Sequence, residues 1–298
     1  MTSTVAVVGA TGFVGRHIVP RLADAGHHVR AISRGGTKRS EWPVNVEPAR
    51  GDVESGAGLE AALAGVDVVV HLVAIPREGG GRTFENVNVR GVERVLDAMR
   101  ANGVGRIVHL SVLGGTPEPR YEYLSSKWRG EQLVREAEFG WVVFRPSLLF
   151  GRGDGFFNLI KTTLTWWSPG IVAIPGDGRA AFQPLSVDDL ATAVLMAVEE
   201  PARDGSVYEV GGAERLTYRE IVDRVMRATG KRRLKLNLPV SIISALTAVT
   251  DRVLPIFPVS HDQIRSLGLP NVTEPDVVQR EFGFAPRPFD VSYLRDGD

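Results

Sequence analysis

The fold class follows from the segment Thr4-Val-Ala-Val-Val-Gly9-Ala-Thr-Gly12-Phe-Val-Gly15. A short apolar run is followed by glycines at the spacing G-x-x-G-x-x-G, and a helical pattern begins directly after them. Glycines in this position permit a tight turn, let the backbone approach a pyrophosphate and bring the helix close to the strand. The N-terminus of the helix then offers unpaired N–H groups to the anion. The alternative is a tight turn without a ligand, and the position at the first strand-to-helix turn favours the binding site.

Short apolar runs and helical patterns alternate through the rest of the first half. The pattern predicts strands over 4–8, 28–33, 44–47, 66–73, 106–111 and 141–145, and helices after the glycine loop to 25 and over 59–64, 83–101 and 121–137. Strands that alternate with helices of this length imply right-handed crossovers and a parallel sheet. The sequence therefore predicts an α/β protein with a Rossmann-type, doubly wound parallel sheet.

The second half is less regular, and it predicts a second domain. We expect residues 1–150 to form a dinucleotide-binding Rossmann domain that is rejoined by about 181–212, through a helix over 187–199 and a strand over 207–210. Residues 151–180 and 213–298 are then a smaller C-terminal α/β lobe for substrate or partner. In this lobe Thr217 and Glu220 have the spacing of a capping box, which begins a helix.

Composition excludes several classes of protein. With 43% hydrophobic and 23% charged residues in 298, the chain is globular rather than disordered. Lys+Arg and Asp+Glu both total 35, so no net charge attracts nucleic acid. No cysteine is present and the six histidines lack metal-ligand spacing, so we expect no metal, and His71 and His109 are expected to be satisfied core residues. We recognise no signal peptide or transmembrane run and expect a cytoplasmic protein.

The end of the second predicted strand indicates which dinucleotide binds. A cofactor without a 2′-phosphate usually meets an acidic residue there, but the segment from Ser33 and Arg34 to Lys38 has no carboxylate before Glu41. Basic residues suit a 2′-phosphate, and the alternative is a solvated basic turn. After the third predicted strand, Asp52 can lie beside the adenine or can be an ordinary turn residue.

Catalytic chemistry is indicated by Tyr123-Leu-Ser-Ser-Lys127. On a helix, residues four apart share a face, so the phenol and the ammonium project together. A nearby cation favours the phenolate form of a tyrosine, as an acid/base catalyst requires. Tyr121 lacks such a partner, because Ser125 stands four residues after it. Ser111 ends the preceding strand, where its hydroxyl can hold a substrate oxygen or simply cap the strand end.

Taken together, these motifs resemble the short-chain dehydrogenase/reductase superfamily in its extended, NAD(P)-dependent epimerase/dehydratase form. Later segments, Phe144-Arg-Pro-Ser-Leu-Leu-Phe-Gly151 and Tyr208-Glu-Val-Gly-Gly212 among them, resemble the atypical branch that contains the NADPH-binding accessory subunit of respiratory complex I. The resemblance runs from about residue 4 to about residue 275.

The resemblance implies a role for each matching residue. Ser111, Tyr123 and Lys127 are the catalytic set: Ser111 orients a carbonyl, Tyr123 exchanges the hydroxyl proton, and Lys127 binds the nicotinamide ribose. These three also belong to the cofactor set, whose other members are Gly9, Thr11, Gly12, Phe13, Val14, Gly15, Ser33, Arg34, Lys38, Asp52, Val53, Leu72, Val73, Ala74, Pro146, Ser147 and Leu148. The glycine loop lines the pyrophosphate, Arg34 meets the 2′-phosphate, Asp52 and Val53 flank the adenine, Ala74 backs the ribose, and Pro146 and Ser147 approach the nicotinamide.

Two features depart from the family pattern. The Asn-Asn-Ala-Gly common after the fourth strand is replaced by His71-Leu-Val-Ala-Ile-Pro76. The asparagine that completes a catalytic tetrad in many relatives has two candidates, Asn86 and Asn88, and we interpret Asn88 as a structural bridge between helix and sheet.

The resemblance implies an NADP(H)-dependent oxidoreductase that moves a hydride to or from the carbon of a small-molecule carbonyl or alcohol. NADP(H) is the preferred cofactor, and NAD(H) is accommodated. The alternative is a catalytically silent NADPH-binding accessory or redox-sensing subunit that contacts a membrane complex peripherally. A third class, cofactor-sensing regulators of the same fold, generally lacks Tyr-x-x-x-Lys, so Tyr123 and Lys127 argue against it.

Overall fold

The computed structural model describes residues 2–162, 164, 170–242, 266, 269 and 271–295. The strands are β1 (Thr4–Val8), β2 (His28–Ser33), β3 (Val46–Arg50), β4 (Val68–His71), β5 (Arg106–Leu110), β6 (Gly140–Pro146), β7 (Leu149–Phe150), β8 (Ile171–Pro175), β9 (Ala181–Phe182), β10 (Leu185–Ser186), β11 (Ser206–Val210), β12 (Leu216–Thr217) and β13 (Leu234–Leu238). The helices are α1 (Phe13–Asp24), α2 (Leu59–Leu63), α3 (Arg90–Asn102), α4 (Glu122–Arg135), α5 (Phe156–Thr162), α6 (Val187–Glu199), α7 (Tyr218–Ala228) and α8 (Val277–Phe282). A π-helical turn, Glu85–Val89, precedes α3, and short 3-10 turns span Pro201–Arg203 and Ser292–Leu294.

The central sheet contains seven strands in the order β11-β6-β5-β4-β1-β2-β3. Parallel pairing joins β3 through β6, with Val5 opposite both Val29 and Val68, and His71 opposite His109. From β1 the chain builds outward to β2 and β3, and then returns to build β4, β5 and β6 on the other side. The predicted doubly wound parallel sheet is confirmed. The carboxyl ends of β1 and β4 are therefore its switch point, where ligands of such sheets bind.

The apolar sequence runs explain why the inner strands lie where they do. Val5, Val7 and Val70 are fully buried, as expected of strands covered on both faces. On the side of α2, α3 and α4, Val69 and Ile107 pack with helix residues such as Met99 in one core cluster. Fully burying a side chain of this size stabilises the fold by about 1.5–3 kcal/mol.

Three predicted boundaries were wrong. The strand expected over 44–47 is Val46–Arg50, because Val44 is 99% exposed and the pairing with β2 begins at Val46. The strand expected over 66–73 is only Val68–His71, since Val66 still closes the turn that follows α2 by donating to the Leu63 carbonyl. The helix expected from residue 83 begins with the π-helical turn.

The chain divides into two compact units. The first comprises Met1–Pro146 and Val187–Glu209, and the second Ser147–Ser186 and Val210–Asp298. In the first unit α6 packs on α1, and the Arg106 side chain ties β5 to the segment after α6. It donates to the Val198 carbonyl at 2.8 Å and to the Asp204 carboxylate at 2.7 Å. The late segment is therefore an integral part of the first unit.

The second unit has its own apolar core and short strand pairs. The pairs are β10-β7, β12-β9 and β13-β8. Phe157 of α5, Ile174 of β8 and Ile221 of α7 are fully buried in one cluster. The predicted capping box is confirmed, because the Thr217 hydroxyl accepts from the Glu220 N–H while the Glu220 carboxylate accepts from the Thr217 N–H. No helix in the described ranges has the length and apolar character needed to cross a membrane.

Candidate active site

The glycine loop connects β1 to α1 and forms a backbone cradle. Gly9 has φ +98°, a left-handed conformation that favours glycine. A Cβ on Gly15 would lie 2.4 Å from the Gly9 carbonyl oxygen, so this close approach of helix to turn requires glycine. α1 begins at Phe13 without a side-chain cap from Gly12, which leaves first-turn N–H groups free of intrahelical partners. The cradle can therefore bind an anion.

The segment after β4 lies against this cradle. The Leu72 N–H donates to the Val8 carbonyl at 3.0 Å, and a Cβ on Gly9 would lie 3.0 Å from the Val73 side chain. Ile75 is held by Asn88, whose amide oxygen accepts from the Ile75 N–H at 2.9 Å. The structure thus brings Leu72 and Val73 next to the glycine loop, with Ala74 following them.

Asn88 has the bridging role that the sequence indicated. Its amide nitrogen donates to the Ile75 carbonyl at 3.1 Å and to the Ser126 hydroxyl of α4 at 2.9 Å. Both ends of a fully buried amide are thereby used. Asn88 joins the π-helical turn, α4 and the segment after β4, so its amide serves structure.

The carboxyl ends of β2 and β3 carry the residues predicted to bind the adenosine end of a cofactor. The Ser33 carbonyl accepts from the Gly51 N–H at 3.0 Å, which ties the two strand ends together. The side chain of Arg34 is 64% exposed and lies 3.7 Å from the Glu54 carboxylate. Lys38 is also exposed, farther along the loop after β2.

Asp52 closes a turn after β3. Its carboxylate accepts from the Glu54 N–H at 2.9 Å and from the Ser55 hydroxyl at 3.2 Å. The next residue, Val53, is buried and its carbonyl accepts from Arg94 at 2.9 Å. Asp52 therefore fills the turn role that the sequence left open, and its contact with an adenine stays a prediction.

The carboxyl end of β5 and the first turns of α4 carry the catalytic candidates. The Ser111 N–H donates to the Phe144 carbonyl at 2.8 Å, which places Ser111 directly after β5. Its hydroxyl is buried and has no hydrogen-bond partner among the described residues. Tyr123 is on α4, with its ring 5.9 Å from that of Phe84, and Lys127 follows one helical turn later. A buried hydroxyl without a partner is able to bind a polar ligand atom.

Lys127 is a buried cation. Its ammonium donates to the Leu110 carbonyl at 2.6 Å, and only 4% of the residue is exposed. Burial lowers the pKa of Lys127 to about 8, and the charge of Glu131 opposes this shift. Glu131 is itself fully buried one turn along α4 and is paired with Arg145 of β6 at 2.6 Å. An ammonium whose pKa lies near the working pH is suited to a proton-transfer site.

His71 and His109 form a pair beneath this region. Their Nδ1 atoms are 3.1 Å apart and their rings are stacked, with centroids 5.2 Å apart. Burial lowers the pKa of His71 to about 3, and the charge of Lys127 adds to that effect. Burial, Lys127 and His71 together hold the pKa of His109 well below its usual value. The expectation of satisfied core histidines was wrong in one respect, because both buried Nε2 atoms lack hydrogen-bond partners in the part of the chain that the structure describes.

The sequence profile of one family covers most of the chain. Residues 5–211 match the NAD dependent epimerase/dehydratase family. The chain belongs to this family. The family is named for its dependence on NAD, and a glycine cradle at the first strand-to-helix turn is where folds of this kind bind the pyrophosphate of a dinucleotide. No group of side chains able to hold a metal occurs among the described residues.

The relatives of this epimerase/dehydratase chain include both a subunit of a respiratory enzyme and enzymes named for their own reactions. Subunit 9 of the NADH dehydrogenase [ubiquinone] 1 alpha subcomplex, a mitochondrial protein of Dictyostelium discoideum, is 32% identical over 241 residues, which are 79% of this chain but 66% of that protein. The 2-alkyl-3-oxoalkanoate reductase of Stenotrophomonas maltophilia is 27% identical over an alignment that covers 94% of each chain. The dTDP-glucose 4,6-dehydratase DesIV of Streptomyces venezuelae, solved with NAD and TYD, has a TM-score of 0.73 at 19% identity and covers 98% of this chain and 94% of its own. The last similarity shows the fold alone.

The predicted contacts Pro146, Ser147 and Leu148 of this epimerase/dehydratase chain lie at the end of β6 and directly after it. The Pro146 carbonyl accepts from the Leu113 N–H at 3.0 Å and closes the first unit. Ser147 belongs to the second unit, where its hydroxyl donates to the Asn271 carbonyl at 3.0 Å. The Leu148 carbonyl accepts from Leu185 at 2.8 Å. The side chain of Ser147 is thus engaged within its own unit.

Sequence reasoning missed three residues near the predicted site. Glu54 and Arg82 meet beside Arg34, although Arg82 stands in a different loop. Glu131 pairs with Arg145 behind Lys127. Only Glu131 had a local signal, because it stands four residues after Lys127 on the same helical face.

Proposed function

We propose that this protein is an NADP(H)-dependent oxidoreductase that interconverts a carbonyl and an alcohol. The observation that carries the proposal is the buried ammonium of Lys127, one turn after Tyr123. It lies at the strand end where the Ser111 hydroxyl has no hydrogen-bond partner in the part of the chain that the structure describes. A helix that merely packs on a sheet gains nothing from a desolvated cation at this point, because burying it costs free energy. Perturbed ionisable groups of this kind cluster at functional sites.

Each of the three side chains has a distinct role in this proposal. When bound, the nicotinamide cofactor supplies the hydride in the reducing direction and accepts it in the oxidising direction. The Ser111 hydroxyl donates to the carbonyl oxygen and orients the substrate. The Tyr123 hydroxyl gives its proton to that oxygen as the alcohol forms, and takes it back in the reverse reaction. Lys127 holds the nicotinamide ribose and stabilises the phenolate that Tyr123 becomes.

The cofactor contacts and the roles of the two units are also part of the proposal. The glycine loop, the strand-end residues and the segment after β4 hold the cofactor in the first unit, and the second unit supplies the lobe for substrate or partner. Arg34 supports a preference for NADP(H) over NAD(H), because an exposed guanidinium at the end of β2 suits a 2′-phosphate. NAD(H) is bound more weakly.

The substrate class that we propose is a ketone with an aliphatic chain and the corresponding secondary alcohol. The similarity to 2-alkyl-3-oxoalkanoate reductase supports it, since that alignment covers 94% of both chains. The reaction expected with such a substrate is reduction of the ketone to the alcohol, with one hydride from the cofactor and one proton from Tyr123.

A Tyr123→Phe variant tests the proposal. We expect the wild type to oxidise NADPH in the presence of at least one member of a panel of aliphatic ketones that includes 3-oxoacyl compounds. The variant should lose this activity by at least about 100-fold, because general acid catalysis contributes about 10²–10⁴-fold. Its affinity for NADPH should stay unchanged. Tyr121→Phe is the matched control, since Tyr121 is followed four residues later by Ser125 rather than a lysine. Activity of Tyr123→Phe equal to that of Tyr121→Phe removes the tyrosine from the mechanism.

A second candidate function is an NADPH-binding accessory subunit without turnover. The 32% identity to a complex I subunit over 79% of this chain favours it. It predicts tight NADPH binding, no oxidation of NADPH with any ketone of the panel, and co-purification with a membrane respiratory complex. Turnover that depends on Tyr123 excludes this candidate.

A further inference from the structure

One carboxylate in the first unit contacts two arginines from different loops. The Oε2 atom of Glu54 lies 3.7 Å from Arg34 Nη1 and 3.2 Å from Arg82 Nε. Arg34 follows β2 and Glu54 follows β3, whereas Arg82 stands in the loop after β4. The guanidinium groups are therefore gathered at the carboxyl edge of the sheet, around a single counterion. Two positive charges and one negative charge leave this cluster with an excess positive charge.

A short hairpin in the loop after β4 ends at Arg82. Gly79 and Arg82 exchange two backbone hydrogen bonds of 3.1 Å each, and the intervening Gly80 and Gly81 have φ of +60° and +83°. Positive φ at both central residues is the type I′ turn, which closes two-residue hairpins tightly and favours glycine. At the base of the hairpin, the Glu78 carboxylate accepts from the Phe84 N–H at 2.6 Å. The hairpin thus fixes the backbone at Arg82, whose side chain reaches Glu54.

We propose that Arg82 is a second ligand for the 2′-phosphate of NADP(H), and that Glu54 is an exchangeable counterion which keeps the two arginines together until the phosphate replaces it. This inference rests on the proposed preference for NADP(H). A phosphate carries more charge than a carboxylate and accepts from two guanidinium forks at once, so it is the better partner for Arg34 and Arg82. Arg82, in a loop remote in sequence, then determines specificity together with Arg34.

Glu54 makes the proposal distinguishable from a merely structural ion pair. If the cluster only holds loops together, removing Glu54 breaks the same contact as removing Arg82. The two variants should then weaken cofactor binding to a similar extent. If Glu54 competes with the phosphate, removing it frees both guanidinium groups and strengthens NADPH binding, whereas removing Arg82 weakens it. The two variants then change NADPH affinity in opposite directions.

The experiment is calorimetric titration of the full-length protein with NADPH and NADH, on wild type, Arg82→Ala, Glu54→Gln and Arg34→Ala. We expect Arg82→Ala to weaken NADPH binding by at least about tenfold and NADH binding by less than about twofold, because a hydrogen bond to a charged group contributes about 1.5–3 kcal/mol. Glu54→Gln should bind NADPH more tightly than wild type, and Arg34→Ala should weaken NADPH binding as Arg82→Ala does. Arg100→Ala is the control. Arg100 is an exposed, ion-paired arginine near the C-terminus of α3, and its replacement should change the affinity for neither cofactor.

Unchanged NADH affinity shows that each variant is folded, so a loss confined to NADPH supports the proposal. The inference is overturned if Arg82→Ala and Glu54→Gln weaken both cofactors alike, or if Glu54→Gln weakens NADH most, which would make Glu54 a ligand of the ribose hydroxyls. A wild type that prefers NADPH but is unaffected by Arg82→Ala overturns the role of Arg82 alone. A wild type that binds NADPH and NADH equally overturns the proposed cofactor preference as well.

Discussion

Acid should destabilise this protein through the buried pair of His71 and His109. Both imidazoles have lowered pKa values in the folded state, that of His71 falling from 6.5 to about 3. Below pH 6.5 the unfolded chain therefore binds protons that the folded chain does not, and folding stability is lost as the pH falls. At pH 5 the solution is 1.5 pH units below the unfolded-state pKa of 6.5, which amounts to about 2 kcal/mol for His71. The lowered pKa of His109 acts in the same direction, so the pair should cost at least about 2 kcal/mol, a substantial part of a typical domain stability of about 5–15 kcal/mol.

Urea unfolding at pH 7.5 and pH 5.0 measures this effect when wild type is compared with a His71→Leu/His109→Leu double variant. Replacing both members of a buried pair by apolar side chains of similar size is close to neutral at pH 7.5, so the variant should fold. Its loss of stability between the two pH values should be smaller than that of wild type by at least about 2 kcal/mol. His28→Leu is the control, because His28 is exposed, and it should keep the wild-type dependence. Equal pH dependence in wild type and the double variant would refute the reasoning.

Three further predictions concern the cradle and the cations. Gly15→Ala should destabilise the fold by about 1–3 kcal/mol and abolish NADPH binding in a thermal-shift assay, because the new Cβ collides with the Gly9 backbone. Gly105→Ala is the control and should have neither effect, since the space around Gly105 is open. Since burial lowers the pKa of Lys127 from 10.5 to about 8, wild type should gain up to about 3 kcal/mol of stability as the pH rises from 8 to 10.5, and Lys127→Met should show no such gain in urea unfolding. Glu131→Gln should cost about 3–5 kcal/mol in the same assay, because it removes the fully buried partner of Arg145 and leaves that arginine only the half-exposed Glu209. A cost no greater than that of Arg135→Ala, which removes an exposed partner of the same carboxylate, would contradict this.

Local patterns were sufficient to predict most of the fold. Alternating apolar runs and helices implied the parallel sheet, and the register of β1 with β2 begins where the sequence places both strands. The capping box at Thr217 was predicted for the same reason, since its partner stands three residues away. The first and last residues of β3 and β4 could not be predicted, because a strand ends where its hydrogen-bond pairing ends and not where the apolar run ends.

The candidate site was predictable only where its residues are neighbours in sequence. Tyr123 and Lys127 share a helical face, so their spacing indicated them. The meeting of Glu54 with Arg82 depends on a hairpin that projects from one loop toward another, and no local pattern records that approach. Similarly, each histidine of the buried pair was assigned to a strand, but their stacking depends on the register of β4 with β5.

The late return of the chain to its first unit bears on synthesis at the ribosome. β6 gains its outer neighbour only when β11 has been made, and α1 gains α6 only after the whole of Ser147–Ser186. Domains fold from the N-terminus as the chain emerges. The first unit therefore cannot complete its fold until Ser147–Ser186 of the second unit has been translated. A nascent chain that stops near residue 150 presents an unpaired strand edge and an uncovered helix face, which are the surfaces through which incomplete chains aggregate.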